Sequence, residues 1–157
     1  MNETIYKNGD ELNEEQLRFV AFKDSEIPAE FESDHLLDER RVEKRLELLK
    51  TMVKPYFFQV AFKENQIVGF HIVIQQNHLT KKIGNILTLW VDPAFRKKGI
   101  AKELKDRGVA WATKQGFPFI QTHVHVKNLL MQEINKKNGY SMNMYVMRKE
   151  LPEPSKT

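Results

Sequence analysis

The chain has 157 residues, 41% of them apolar, with 25 basic and 21 acidic side chains for a net charge of +4. That length is expected to form a single domain over residues 1–157 with its own core, and no apolar run is long enough to cross a bilayer. A mild positive charge without a long basic stripe argues against a nucleic-acid partner, and the lack of cysteine excludes disulfides, cysteine-based zinc sites and a thiol nucleophile. The polar opening MNETIYKNGDELNEEQ has no signal or transit pattern, so a cytoplasmic location is the expectation.

Residues 1–55 read as mostly helical. LNEEQLRFVAF fits a helix from Asn13 or a strand from Leu17 to Phe22, and the helix is the preferred reading. DERRVEKRLELLKTMV places Val42, Leu46, Leu49 and Val53 on one stripe, with Asp38 as a cap and Pro55 as the stop. From Tyr56 the pattern changes. YFFQVAF and IVGFHIVIQ, joined by the polar KENQ, predict an antiparallel hairpin, and NILTLWV predicts a third strand ended by Asp92-Pro93. IAKELKDRGVAWATKQG predicts a helix with Ala101, Leu104 and Trp111 inward and Gly116 at its end. FIQTHVHV reads as a fourth strand, and NLLMQEINKKNG as a short helix capped by Asn128 and closed by Gly139. YSMNMYVMRKEL alternates apolar and polar residues and is expected to end the sheet, with Met142 and Met144 in the core. Residues 152–157 read as a frayed tail. The result is an α/β (α+β) fold, a mixed sheet flanked by helices, with its core in residues 56–149.

The stretch VDPAFRKKGIAKEL places Arg96, Lys97 and Lys98 before Gly99 and a helix start. The first amides of a helix have no intrahelical partner and lie at the electropositive end of its dipole. A glycine there lets a ligand approach the backbone closely. Such a loop can cradle a pyrophosphate, or it can be an ordinary solvated turn. Neither GxxxxGK[ST] nor GxGxxG occurs in the chain.

Read with its flanks, the chain resembles the GNAT superfamily of N-acetyltransferases. Their R/Q-x-x-G-x-G/A signature, following a strand that ends in V-x-P, matches Val91-Asp92-Pro93 and Arg96-Lys97-Lys98-Gly99-Ile100-Ala101. Their strand, Asn-initiated helix and glycine–aromatic pair match THVHVKNLLMQEINKKNGY, with Asn128 and Gly139-Tyr140 in place. The resemblance covers residues 56–149. It implies a mostly antiparallel sheet with a splayed strand pair and acetyl-CoA as cosubstrate. It also implies transfer of an acetyl group to a primary amine of a small-molecule or peptide acceptor. The pyrophosphate would sit on the amides of Arg96 to Ala101, and the pantetheine arm would pair with Leu89, Trp90 and Val91. A backbone N–H near Val91 would stabilise the oxyanion, and Asn128 would contact the pantetheine or hold the splayed strand ends.

The catalytic groups depart from the family pattern. Counted from Asn128, the Tyr often assigned as general acid falls on Asn135, a carboxamide that can donate a hydrogen bond but not a proton. Tyr145 is the preferred substitute, because Tyr140 fits the structural aromatic position. The Glu that members often carry before the loop is missing from Leu87-Thr88-Leu89-Trp90. His123 and His125 share a strand face and titrate in the range of a base. No acidic or cysteine partner lies near them in sequence, so no metal site is expected. His71 reads as an interior residue. Trp90 and Tyr145 read as acceptor-pocket lining or as core. Glu30, Glu32, Asp34, Asp38 and Glu39 could draw a cationic amine, although solvated helix-start charges is the preferred reading. A CoA-binding domain with little catalysis is the competing function. Oligomeric state stays open, a homodimer among the options.

Overall fold

Helix α1 (Glu14–Glu26) begins where the sequence places a reciprocal cap: Asn13 Oδ1 accepts from Gln16 N at 2.9 Å, and Gln16 Oε1 accepts from Asn13 N at 2.9 Å. Helix α2 (Glu39–Thr51) starts with a single cap bond, the Asp38 carboxylate accepting from Arg41 N at 2.9 Å. Val42, Leu46 and Leu49 are buried on one stripe of α2, each burial contributing about 1.5–3 kcal/mol. Val53 lies beyond the last turn and is 86% exposed, which corrects the expected stripe at its end. The computed structural model describes residues 3–27 and 38–154. Glu30, Glu32 and Asp34 lie outside the described residues.

The chain divides into two compact units, Met1–His123 and Val124–Thr157. In the first, five strands form one sheet in chain order: β1 (Thr4–Asn8), β2 (Tyr56–Lys63), β3 (Gln66–His78), β4 (Lys81–Val91) and β5 (Ile120–Gln121). The pairs β1–β2, β2–β3 and β3–β4 are antiparallel, and β4–β5 is parallel. β1 adds a strand to an opening third that reads as mostly helical: TIYKN pairs with β2 as an edge strand, Thr4 opposite Lys63. Its pattern is too short and too exposed for periodicity to reveal.

Two helical layers enclose this sheet. On one face Phe58, Val60, Phe70 and Ile72 pack with Val20 and Ala21 of α1 and with Val42, Leu46 and Leu49 of α2. On the other, Ala61, Val68 and Val91 pack with Ile100 and Leu104 of α3 (Ile100–Lys114). Burial on both faces explains why the central strands read as nearly continuous apolar runs. Register shifts interrupt two ladders. On β4, Ile72 faces Thr88 while Val73 faces Ile86, so Leu87 is an extra residue that bulges the strand. Just before that bulge β4 pairs with β5 at Gly84↔Ile120 and Asn85↔Gln121. β4 then continues to Val91 while β5 ends. This is the splay between neighbouring strands that the fold was expected to contain.

In the second unit α4 (Leu129–Lys137) is capped by Asn128, whose Oδ1 accepts from Met131 N at 3.1 Å. Two expectations fail around it. The fourth strand is confined to Ile120–Gln121, so His123 and His125 do not share a strand face. The run YSMNMYVMRKEL forms no strand among the described residues. Met142 and Met144 are accordingly exposed, which corrects their assignment to the core.

Candidate active site

The basic loop takes its shape from its backbone. Asp92 Oδ1 accepts from Ala94 N at 2.9 Å, and Pro93–Phe95 form one tight helical turn. Lys97 follows with φ 63° and Gly99 with φ 83°, both left-handed. Glu103 N is bonded to Gly99 O at 3.0 Å, so the amides of Ile100, Ala101 and Lys102 precede the first intrahelical bond of α3. Left-handed residues beside a helix start turn successive N–H groups toward a common centre, an anion-binding concavity. A Cβ built on Gly99 meets no atom within 4 Å, so the space above it is open.

The three cations of the loop do three different things. Arg96 turns back, its Nε donating to Val91 O at 2.9 Å, and joins the loop to the end of β4. Lys98 lays its ammonium 5.3 Å from the centre of the Phe95 ring. Lys97 is exposed. Leu89, Trp90 and Val91 form the last turnless stretch of β4 before this loop. Trp90 stacks on Phe70 with centroids 5.4 Å apart and meets Phe19 of α1 edge-on at 5.9 Å. Residues Leu89 to Val91 and Arg96 to Ala101 are thus brought together as strand end and cradle within the first unit.

On the α1/α2 face of β4 stand two polar residues that sequence reasoning missed. Asp24 of α1 is buried, with Oδ2 2.6 Å from Arg45 Nε of α2 and a hydrogen bond from the Thr88 side chain. Burial raises the Asp24 carboxyl above the usual carboxylate range, against the opposing pull of Arg45 and Thr88. A carboxylate that the sequence of β4 lacks thus lies beside Thr88 of that strand, carried by a helix. Its signal was an acidic residue on the same stripe as the buried Val20 and Ala21. Asn85, the last β4 residue paired with β5, is also buried, and its Oδ1 has no hydrogen-bond partner among the described residues. A polar residue at an inward strand position was the only hint.

On the opposite face His71 is fully buried, as expected, with Nδ1 2.9 Å from Thr88 O. Thr88 O can only accept, so Nδ1 carries the proton. Burial holds the imidazole pKa down to about 4, with Thr88 opposing and Lys105 assisting. His71 is neutral at physiological pH.

Between α1 and the start of α2 lies a groove of about 560 Å³ lined by Phe19, Phe22 and Val42 together with Glu15, Arg18, Asp38 and Glu39. Asp38 spends one oxygen on the cap of α2, which agrees with the helix-start reading.

The second unit holds the remaining sequence-derived residues. His125 Nδ1 accepts from Lys127 N at 3.1 Å. His125 O accepts from Asn128 N at 2.9 Å. Asn135 is buried, and its carbonyl accepts from Asn138 N at 3.0 Å and Tyr140 N at 2.9 Å, closing α4. Burial raises the Tyr140 phenol pKa, so it stays protonated. Tyr145 is 81% exposed. His123 ends the first unit and is exposed.

The architecture is an α/β domain whose mostly antiparallel sheet leads through a left-handed loop into a helix. Residues 12–140 match the model of the acetyltransferase (GNAT) family, and the chain belongs to that family. No curated protein matches the chain. Among solved structures it is similar to a GCN5-related N-acetyltransferase from Ralstonia eutropha JMP134, with TM-score 0.74 and 22% identity over 94% of this chain and 99% of that one. The aminoglycoside N-acetyltransferase AAC(6')-Iy in complex with CoA gives 0.71 at 16% identity, covering 96% of each chain. The aminoglycoside acetyltransferase meta-AAC0020 from an uncultured soil metagenomic sample, in complex with sisomicin, gives 0.65 at 19% identity over 96% and 97%. At these identities the likeness is one of fold.

Proposed function

We propose that the protein is an acetyl-CoA-dependent N-acetyltransferase that acts by direct attack of a primary amine of a small cationic acceptor. The observation that carries this reading is the loop from Arg96 to Ala101, left-handed at Lys97 and Gly99 and set between the free end of β4 and the start of α3. Acetyl-CoA, when bound, supplies an activated thioester acetyl group. The chain's own part is to hold it and manage protons. The amides of Lys97 to Ala101 receive the pyrophosphate, and the edge of β4 from Leu89 to Val91 offers main-chain partners to the pantetheine arm. A backbone N–H at Val91 faces the thioester carbonyl.

An amine with a pKa near 10.4 must lose a proton before attack. His123, His125 and Asp24 are the groups able to take it, directly or through water. Of the two histidines, His125 has Nδ1 already engaged by Lys127 N, so His123 is the stronger candidate. Asn135 orients the sulfur by hydrogen bonding, and Tyr145 is the proton donor to the departing thiolate. Asn128 contacts the pantetheine. A cationic acceptor is supported by neighbours solved as aminoglycoside acetyltransferases.

A second reading, a CoA-binding domain with little turnover, is favoured by the carboxamide at Asn135 and the exposure of Tyr145. Release of free CoA is measured against aminoglycosides, polyamines, amino acids and peptides across pH 6 to 10. Turnover with one amine class supports the enzyme. Tight acetyl-CoA binding with no release above the acceptor-free rate across the panel supports the binding domain.

A further inference from the structure

Lys23 of α1 carries its ammonium in among aromatic side chains. Its Nζ lies 5.8 Å from the centre of the Phe19 ring, 5.7 Å from that of Phe22 and 5.7 Å from that of Trp90. Phe19 and Phe22 stand on the same helix as Lys23, whereas Trp90 comes from β4. Trp90 stacks on the fully buried Phe70 and meets Phe19 edge-on, and both Phe19 and Trp90 pack against the core on that face of the sheet. Two of the rings are therefore positioned by the core rather than by Lys23.

Each ring offers a negative face to a cation. Rings grouped around one point favour an organic cation, above all a quaternary ammonium, which keeps its charge and has no N–H to satisfy. A carboxylate stands beside this niche, with Glu26 Oε2 3.3 Å from Lys23 Nζ. Its charge suits an incoming cation as well as it suits the lysine. The present occupant is free to leave. The Lys23 side chain is 29% exposed, and its flexible stem can carry the ammonium out to water by bond rotation alone. Phe22 is 40% exposed. Phe19 and Phe22 also line the groove between α1 and the start of α2, so these rings border a space of the size a small organic cation needs.

We propose that Phe19, Phe22 and Trp90, with Glu26 beside them, form a binding site for an alkylammonium group, and that Lys23 is its built-in occupant. Lys23 then sets the affinity, because any such ligand must first displace an ammonium tethered at high effective concentration. The inference needs neither the basic loop nor turnover, so it stands or falls separately from the acyl-transfer reading.

The test uses choline as the probe and 3,3-dimethylbutanol as its uncharged isostere. Binding to the full chain is followed by NMR of the ligand methyl signals, with choline chloride exchanged against sodium chloride to hold ionic strength constant. Lys23→Ala vacates the niche and is expected to bind choline about tenfold more tightly than the wild type. Lys23→Arg keeps a cation there and is expected to show no gain. Adding Phe22→Leu to Lys23→Ala keeps apolar bulk but removes a ring, and is expected to weaken choline about fivefold. The isostere is expected to bind Lys23→Ala more weakly than choline by a similar factor. Should Lys23→Ala melt well below the wild type, Lys23→Gln, which retains most of the stem, takes its place. Choline affinity unchanged on removing the lysine ammonium overturns the proposal. So does a Phe22→Leu change without effect, or an isostere that binds as well as choline.

Discussion

Arg96 Nε donates to the carbonyl of Val91 at 2.9 Å, so the side chain that opens the basic loop bonds back to the strand the loop has just left. On the proposed reading its role is to hold the loop against β4, with its charge as a secondary effect. Lys97 is exposed and has no such bond. Arg96→Lys keeps the charge but loses this geometry, and is expected to weaken acetyl-CoA binding about tenfold, the equivalent of one charge-assisted hydrogen bond. Lys97→Ala is expected to cost about threefold, and that loss should shrink as salt rises. Calorimetric titration at low and high salt separates the two; equal losses with equal salt dependence would show a simple charge patch.

Gly99 enters α3 with φ 83° and open space where a Cβ would stand. A Cβ there meets no protein atom within 4 Å, but a β-branched residue disfavours the left-handed backbone by about 1–2 kcal/mol and adds bulk beside the loop amides. Gly99→Val is expected to lose acetyl-CoA binding by more than 100-fold. Gly99→Asn, which tolerates the left-handed region, is expected to keep the wild-type melting temperature within a few degrees and still bind more weakly than wild type. Pairing thermal denaturation with ligand titration distinguishes obstruction from misfolding.

His71 and Gly108 make the sharpest pH prediction. The imidazole is buried with its pKa at about 4 against 6.5 in an unfolded chain. Below 6.5 the unfolded chain takes up a proton that the folded protein refuses until about pH 4. The stability is therefore fully present above pH 6.5 and lost as pH falls, by about 3 kcal/mol in all. His71→Gln is expected to remove that part of the acid slope in urea unfolding between pH 7 and 4.5. A Cβ on Gly108 would lie 2.9 Å from His71 Nε2, so Gly108→Ala is expected to destabilise by about 1–3 kcal/mol at pH 7.

Asp24 gives the opposite sign. Its folded carboxyl is raised above the ordinary value of 3.8, chiefly by burial. The folded protein holds this proton more tightly than the unfolded chain does. Its contribution is greatest in acid and declines as pH rises through the carboxylate range. Asp24→Asn is expected to flatten that decline. If Asp24 also serves the acceptor amine, the variant's kcat falls at least tenfold while its KM for acetyl-CoA is unchanged; Arg45→Met, which leaves the carboxylate in place, separates the ion pair from the base. Steady-state kinetics across pH 6 to 10 reads both.

The sequence was legible wherever local chemistry decides the structure. Asn13, Asp38 and Asn128 were recognisable caps, the alternating runs of β2 and β3 marked a hairpin, and Gly99 marked the loop. Three features depended on long-range pairing that periodicity does not carry. β1 exists because β2 accepts it, β5 is confined to two residues beside the bulge of β4 at Leu87, and the alternation of residues 140–151 predicted a strand that finds no ladder among the described residues. Asp24 and Asn85 were hidden for a related reason. A single polar residue on an apolar stripe gains meaning only once the element packed against it is known.

The proposed cradle of main-chain amides around Lys97 and Gly99 has an evolutionary consequence. Almost any side chain can change around it provided the left-handed corners survive, which fits a fold shared with acetyltransferases at 16% to 22% identity. It also sets where redesign must act. To make the protein accept a different carrier, one with a shortened or uncharged nucleotide end, exchanging lysines would achieve little. Lengthening or shortening the turn between Pro93 and Ile100 would re-aim the amides themselves.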